Sequence, residues 1–122
     1  MIIEIVKRRG GATMTSDAGP EPAGLSSADA EQLAEIMRAL ASPVRLRVLS
    51  LLASRPHTVA ELSELLAAGQ TTVSNHLRLL RHLNLVVGSR DGRHIRYALF
   101  DAHVKDLLDE AIGHVHHLQL GP

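Results

Sequence analysis

The side chains with the clearest chemical potential lie in the C-terminal part of the chain. An Asp-x-His pair, Asp101 and His103, opens this stretch, and a His-x-x-His pair, His114 and His117, closes it. Side chains three residues apart share a face of a helix, and eleven residues make about three helical turns. His103, His114 and His117 therefore project from one side of a predicted helix. Imidazoles combined with a carboxylate are typical ligands of Zn(II).

The two pairs are too far apart to share one ion within a single chain. His103 and His114 are separated by roughly 16 Å along a helix that rises about 1.5 Å per residue, whereas a zinc–nitrogen bond measures about 2 Å. Two antiparallel copies of the helix would bring Asp101 and His103 of one subunit to the partner subunit's His114 and His117. Twofold symmetry would repeat the site. The spacing thus predicts a homodimer with a metal site between its subunits.

Composition restricts the other kinds of chemistry. A length of 122 residues suits one domain, and 45% hydrophobic with 2% aromatic residues predicts an aliphatic core. The absence of cysteine excludes disulfides, thiol redox switches and thiolate metal sites. No nucleophile or general base accompanies the histidines, so we expect no enzyme. A small metal-dependent hydrolase is only a remote alternative.

Charge is distributed unevenly along a chain of zero net charge. Residues 70–100 carry five arginines against one aspartate, a net +4, whereas residues 101–122 carry one lysine against four acids, a net −3. The first 69 residues contribute the remaining −1. A basic segment between acidic ones indicates that residues 70–100 face phosphate groups.

The N-terminal region predicts little ordered structure. Residues 1–26 are rich in Gly, Pro, Ser, Thr and Ala, so we expect a poorly ordered segment. Translation could start at Met1 or at Met14. No apolar run approaches the roughly 20 residues of a membrane span, and the start does not resemble a signal peptide. We therefore expect a cytoplasmic protein without membrane contact.

Apolar periodicity predicts four helices between about residue 30 and residue 83. They cover about residues 30–41, 43–53, 59–66 and 70–83, with Asp29, Ser42 and a Thr58–Glu61 capping box at the first three starts. The third and fourth helices, joined by a turn at Gly69, form the pattern of a helix-turn-helix. The positions expected in the core are Leu33, Ile36, Met37, Leu40, Val44, Leu46, Val48, Leu49, Leu52, Leu62, Leu65, Leu66, Val73, Leu77, Leu80 and Leu83.

A β-hairpin is expected after the helix-turn-helix. Asp91-Gly92 separates two β-prone runs and predicts the hairpin turn. The last helix starts near Ala102, with Asp101 as its cap, and presents an apolar stripe beside its histidines. The fold class is therefore mainly α with a β-hairpin wing: a winged helix-turn-helix over residues 27–122, dimeric through its terminal helices. His57, His82 and His94 are expected on the surface.

Two segments and the wing carry a resemblance to a known family. Residues 39–49 (ALASPVRLRVL), residues 72–80 (TVSNHLRLL) and the wing residues around Asp91-Gly92-Arg93 resemble the ArsR–SmtB metalloregulators, over about residues 30–120. The resemblance implies a transcriptional repressor that holds operator DNA in the metal-free state and releases it when metal binds. Genes for metal efflux or resistance are the typical targets of such repressors.

The resemblance also implies which sensor site is present. One family site needs a cysteine on the helix before the recognition helix, and residues 61–66 (ELSELL) contain none. The other site, on the last helix, is matched by Asp101, His103, His114 and His117. One carboxylate and three imidazoles suit tetrahedral Zn(II) as the effector, with Co(II) as a surrogate. The family also implies a link from His114 to the backbone near Asn84.

Two alternatives keep the fold but change the response. A Ni(II) or Co(II) sensor would need further ligands, for which His116 and the N-terminal amine are available, although Gln119 stands where another histidine would help. A winged-helix repressor without a metal response would use the last helix only to dimerise.

Operator contacts are expected on the recognition helix and the wing. Two recognition helices would enter successive major grooves of an inverted repeat. The candidate DNA-binding residues are Gln70, Thr71, Thr72, Ser74, Asn75, His76, Arg78, Arg90 and Arg93, with Arg96 as a further candidate.

Overall fold

In residues 23–121, the part of the chain that the computed structural model describes, five helices and three strands follow one another. They are α1 (Ser27–Leu40), α2 (Pro43–Ser54), β1 (His57–Thr58), α3 (Val59–Leu66), α4 (Gln70–His82), β2 (Val86–Asp91), β3 (His94–Leu99) and α5 (Ala102–Leu120). Residues 34–121 belong to one compact unit, and residues 23–33 to another. Residues 1–22 of the segment 1–26 that was predicted to be poorly ordered lie outside the described residues, as does the choice of a start at Met1 or Met14.

Side-chain caps fix where the helices begin. The Ser42 hydroxyl accepts a hydrogen bond from the Arg45 amide at 3.3 Å, with Pro43 in the first turn of α2. Both hydrogen bonds of the predicted Thr58–Glu61 capping box are present in α3. Helix α1 begins earlier than predicted, because the Ser26 hydroxyl accepts from the Asp29 amide at 3.1 Å. A serine before Asp29 thus provides the cap that the prediction assigned to Asp29.

The core is an aliphatic cluster contributed by every helix and by β2. Its members are Ala39, Val48, Leu49, Leu52, Leu62, Leu66, Val73, Leu77, Leu80, Leu85, Val86, Val104 and Leu108. Ile36, Leu40 and Leu83 pack against it partly buried. The prediction of an aliphatic core is confirmed.

Five positions predicted in the core are instead exposed. Their exposed fractions are 39% for Leu33, 44% for Met37, 36% for Val44, 42% for Leu46 and 52% for Leu65. Leu46 is two residues from Val48, which is about 200° around a helix, so the two cannot share a face. Leu62 and Leu66 share the buried face of α3, whereas Leu65 projects from the side of Leu62 that is away from Leu66. The apolar runs in α2 and α3 are therefore wider than the face that the core covers.

The short strand β1 was not predicted, and it buries a histidine that was expected on the surface. The sheet order is β1-β3-β2, with His57 opposite Tyr97. His57 is only 2% exposed, and its Nδ1 lies 2.8 Å from the Arg55 carbonyl oxygen, to which an Nδ1–H donates. A strand of two residues shows no alternation, and its partner is far away in sequence, so local patterns could not reveal it. The surface positions predicted for His82 and His94 are confirmed.

The wing hairpin forms as predicted, but its turn lies one residue later. Asp91 pairs with His94, so the two-residue turn is Gly92-Arg93 rather than Asp91-Gly92. Gly92 has a φ of 64°, whereas Arg93 is not among the residues with positive φ. Glycine with positive φ at the first central position is typical of a type II′ turn. Asp91 lies in the strand opposite His94, and its carboxylate accepts a hydrogen bond from Arg96 Nε at 2.7 Å.

The terminal helix α5 has two different halves. Asp101 caps it as predicted, with Oδ1 accepting from the Val104 amide at 3.1 Å. Val104 and Leu108 in the first half are buried in the core, whereas every residue from Asp109 to Leu120 is exposed. Among the described residues, no helix is long and apolar enough to cross a membrane.

Candidate DNA interface and metal site

Helix α4 has the features of a recognition helix. It follows a turn in which Ala67 adopts a left-handed conformation, and it buries Val73, Leu77 and Leu80 against the core. The other positions of the helix are mostly polar. Of the candidates predicted here, Gln70, Thr71, Thr72, Asn75 and Arg78 are exposed, and Ser74 and His76 are half-buried.

Arginines occupy both the recognition helix and the wing. Arg78 Nη1 donates to Asn75 Oδ1 at 3.3 Å, which holds two candidate contact residues side by side. Arg90 and Arg93 are exposed near the wing turn, and Arg90 Nη1 lies 3.5 Å from the Gly92 carbonyl oxygen. The fold thus presents the predicted basic residues on two neighbouring elements, where both can face a nucleic acid.

Arg45 connects the recognition helix to the end of α1, a role that the sequence did not indicate. Its Nε donates to the Ala39 carbonyl at 2.6 Å, and Nη2 donates to the Arg38 carbonyl at 3.4 Å. A cationic side chain at these last carbonyls stabilises the helix end. Arg45 Nη1 also lies 3.5 Å from His76 Nδ1. Arg45 therefore contributes to the position of His76, and only the juxtaposition of three helices shows it.

Arg96 anchors the wing from within, in contrast to the other candidate arginines. It donates to Asp91 at 2.7 Å through Nε, and its Nη1 lies 3.4 Å from Glu61 Oε1. Hydrogen bonding to Asp91 and attraction by Glu61 raise the pKa of Arg96. Because both carboxylates compete with any phosphate, the structure gives Arg96 a positioning role between α3 and the hairpin.

The charge of Glu61 is expected to make a pH-dependent contribution to stability. The Thr58 amide donates a hydrogen bond to the Glu61 carboxylate and, with Arg96 and Arg55 nearby, holds the pKa of Glu61 below its ordinary value of 4.5. A carboxylate with a lowered pKa stabilises the folded state above its unfolded pKa, and this contribution disappears as pH falls through the folded pKa. Wild type should therefore be more stable than Glu61→Gln at neutral pH, with a gap that closes below about pH 4.5.

Urea denaturation of both proteins between pH 3 and pH 7 would measure that gap. A gap that stays constant across this range would contradict the role of the Glu61 charge.

Asp101 and His103 lie together at the start of α5. Asp101 Oδ2 is 3.4 Å from His103 Nδ1, while Oδ1 is engaged with the Val104 amide. Donation by the Val104 amide, aided by His103, lowers the pKa of Asp101, so it is ionised at neutral pH. The His103 side chain is 92% exposed. The cap thus uses one carboxylate oxygen, and the other faces the exposed His103 ring.

His114, His116 and His117 lie near the other end of the same helix, and all three are exposed. Within residues 23–121 of one chain, no group of three or more His, Asp or Glu side chains is assembled to hold a metal ion. The structure therefore brings Asp101 to His103 and keeps the terminal histidines apart from them. Their separation agrees with the helical spacing derived from the sequence.

The exposed half of α5 also carries apolar side chains. Val115 is 50% exposed, Leu118 is 63% exposed and Leu120 is 85% exposed. Apolar residues clustered on an otherwise polar helix mark an interaction surface. This surface adjoins the terminal histidines, so a helix packed here would also meet them.

Comparisons with known proteins agree with the architecture. Residues 42–87 match the model of the bacterial regulatory protein arsR family. Over 99 residues the chain is 50% identical to the HTH-type transcriptional regulator NmtR of Mycobacterium tuberculosis, covering 81% of this chain and 82% of NmtR. It is 39% identical over 95 residues to the transcriptional repressor SmtB homolog of Synechocystis, covering 78% of this chain and 72% of that protein.

Solved structures support the same assignment. The solution structure of apo-NmtR matches with a TM-score of 0.68 at 45% identity, covering 90% of this chain and 92% of the other. A homodimeric winged helix-turn-helix DNA-binding domain from Mycobacterium bovis matches with a TM-score of 0.70 at 28% identity, covering 78% and 91%. The prediction of a winged helix-turn-helix regulator that is not an enzyme is confirmed. The chain belongs to the ArsR–SmtB family of metal-sensing transcriptional repressors, which bind operator DNA as homodimers.

Proposed function

We propose that this repressor binds an inverted-repeat operator as a metal-free homodimer and releases it when Zn(II) binds between the subunits. Each of two symmetric sites would use Asp101 and His103 of one subunit with the partner subunit's His114 and His117. Release would derepress genes for metal efflux or resistance. In this proposal the repressor acts in the cytoplasm. The winged-helix domain of residues 27–122 carries both functions in this proposal.

The distribution of ligands along α5 is the observation that carries this proposal. The pair at the capped start and the pair near the end lie on one helix of 19 residues, and they cannot converge within the chain. The exposed apolar residues Val115 and Leu118 lie beside the second pair. An antiparallel second α5 covering these residues would complete the ligand set and bury the apolar surface in one step.

The side chains present fit a closed zinc site. One carboxylate and three imidazoles supply the four ligands of a tetrahedral structural site. Asp101 can offer Oδ2 without giving up the cap, because Oδ1 holds the Val104 amide. The exposed rings of His103, His114 and His117 are free of the packing that would hold them away from a ligand.

A bound Zn(II) would hold the four side chains together and thereby fix the two subunits in one relative orientation. The backbone near Asn84, which has a φ of 59° and lies two residues after the end of α4, is the proposed partner of His114. Such a link would couple the terminal helices to the orientation of the recognition helices. By reciprocity, operator DNA must weaken metal binding by the same factor, typically about 5- to 150-fold in allosteric proteins.

Titration of zinc into the protein–operator complex tests the function. Fluorescence anisotropy of labelled operator is expected to show affinity falling by about 10- to 100-fold at saturating zinc, with recovery after addition of a chelator. A change of less than twofold would leave a winged-helix repressor that uses α5 only for dimerisation.

The Co(II) complex distinguishes the four-ligand site from a Ni(II)/Co(II) sensor. A tetrahedral site gives intense d–d absorption bands, whereas six ligands give weak ones. The exposed His116 is the nearest further ligand on α5. His116→Gln should leave the spectrum unchanged if the four-ligand set is complete. Weak bands that change in this variant would favour the sensor of higher coordination number.

A further inference from the structure

An open cleft of about 450 Å³ lies between the recognition helix and the wing. Its walls are Ser74, Arg78, Arg81 and His82 of α4 and Tyr97 of β3. We call it the helix–wing cleft. Arg81 counts towards the basic charge of residues 70–100, but neither it nor His82 or Tyr97 was among the individual DNA contacts expected from the sequence.

The walls of the cleft have the chemistry of an anion site. The residues that line it carry two guanidinium groups, one imidazole and two hydroxyls, and none of them is acidic. Among residues 23–121, Arg81 and His82 side chains have no hydrogen-bond or ion-pair partner, whereas the acids Asp91 and Glu61 are paired with Arg96. The cleft therefore keeps an uncompensated positive charge.

The helical positions explain why these side chains share one wall. Residues 74, 78, 81 and 82 fall within about 100° of arc on a helix, beside the buried stripe. Tyr97 faces them from β3, where its ring crosses close to Gly88. A β-carbon at Gly88 would lie 3.1 Å from Tyr97 Cε1 and 2.9 Å from Ile95 Cγ2. The glycine thus permits the ring to lie against the hairpin.

The length of α4 indicates what the cleft meets on DNA. Thr71 and Arg81 are about 15 Å apart along the helix at about 1.5 Å per residue, whereas the major groove is about 12 Å wide. When the N-terminal residues near Thr71 contact base edges, a helix that enters the groove at an angle carries Arg81 away from the bases and towards the sugar–phosphate backbone. A DNA strand whose backbone ran between α4 and the wing would pass over the cleft.

We propose that the helix–wing cleft holds a backbone phosphodiester of the operator, with Arg81 as its principal charged contact and Tyr97 as a neutral donor. This inference rests on the DNA-binding part of the proposed function and not on its metal response. Contacts of this kind position a protein on DNA without reading sequence. The cleft therefore contributes to affinity for any duplex.

The salt dependence of DNA binding by metal-free Arg81→Gln tests the proposal. Removing one charged side chain from a phosphate reduces the slope of log K against log salt by about 0.9. A dimer has two clefts, so the slope should become shallower by about 1.8, and affinity at 0.15 M salt should fall roughly 30-fold. The decrease should be equal for operator and unrelated duplexes, because phosphates carry no sequence information.

Two further variants isolate the cleft from general charge effects. Lys105→Gln removes the same charge from α5, where Lys105 pairs with Asp109 at 2.8 Å, and it should keep the wild-type slope. Tyr97→Phe should weaken binding to both duplexes a few-fold without changing the slope of log K against log salt, since it removes no charge. An unchanged slope in Arg81→Gln, or a decrease in affinity confined to the operator, would overturn the proposal.

The metal response provides an independent readout. Arg81→Gln should retain the wild-type ratio of operator affinities without and with zinc. If wild type lacks a zinc response while Arg81→Gln still flattens the salt dependence, the sensor proposal fails and the cleft proposal stands. If zinc releases wild type but the Arg81→Gln slope is unchanged, the reverse holds.

Discussion

Combined replacement of His114 and His117 by alanine is expected to abolish the zinc response while preserving metal-free operator binding. Both side chains are exposed on the second half of α5, so their removal leaves the core intact. Each site would keep only two of its four proposed ligands, and metal coupling of about 10- to 100-fold should fall to less than twofold. Anisotropy titrations with and without zinc measure both quantities. Failure of the variant to bind operator without metal would contradict the separation of the two functions.

Heterodimers test whether the ligands come from two subunits. One subunit carries Asp101→Ala and His103→Ala, and the other carries His114→Ala and His117→Ala. In a dimer purified through two different tags, an intersubunit arrangement leaves one complete ligand set. The expected stoichiometry is one zinc per heterodimer, compared with two for wild type and none for either doubly substituted homodimer.

The matched control places all four substitutions in one subunit and pairs it with a wild-type subunit. Intersubunit sites would then each lack one pair, so no high-affinity zinc is expected. Ligands drawn from a single subunit would give the opposite results: one zinc in the control and none in the first heterodimer. The two preparations contain the same number of substitutions, so general destabilisation cannot produce this difference.

Replacement of Leu62 by alanine is expected to have the largest effect on stability. Leu62 is fully buried in α3, and removal of a buried leucine costs about 2–5 kcal/mol because the transfer free energy is lost and a cavity remains. This is a large part of the roughly 5–15 kcal/mol that stabilises a typical domain. Urea denaturation at a fixed protein concentration is the appropriate measurement, since association contributes to the stability of a dimer.

Leu65→Ala is the matched control on the same helix. Leu65 is 52% exposed, so the same chemical change should cost less than about 1 kcal/mol. Equal effects of the two variants would show that Leu65 is buried in the protein in solution. The comparison therefore tests a contrast that the apolar pattern alone did not reveal.

Local signals were sufficient for most of the elements. Ser42-Pro43, the Thr58–Glu61 capping box and Asp101 each mark a helix start through a hydrogen bond between residues close in sequence. The hairpin was also recognisable, but its turn was misplaced by one residue. Asp91 pairs with His94 and accepts a hydrogen bond from Arg96 across the hairpin, and a turn dipeptide carries no information about these partners.

Burial and long-range strand pairing could be predicted less well from the sequence. Leu62 and Leu65 are the same residue type on one helix, and only the position of the surrounding helices determines which is covered. His57 is buried because β1 pairs with β3 about 40 residues further along the chain. The hydrogen bonds of Arg45 to the end of α1 likewise depend on how consecutive helices pack.

The spacing along α5 was determined by the sequence alone. A regular helix converts residue numbers into distances, so the separation of Asp101 and His103 from His114 and His117 follows from about 1.5 Å per residue. Tertiary structure decided which half of α5 enters the core and which half stays exposed. It also placed Tyr97 opposite Arg81 to form the helix–wing cleft. These features depend on packing between elements distant in sequence, whereas spacing within one helix depends only on its backbone geometry.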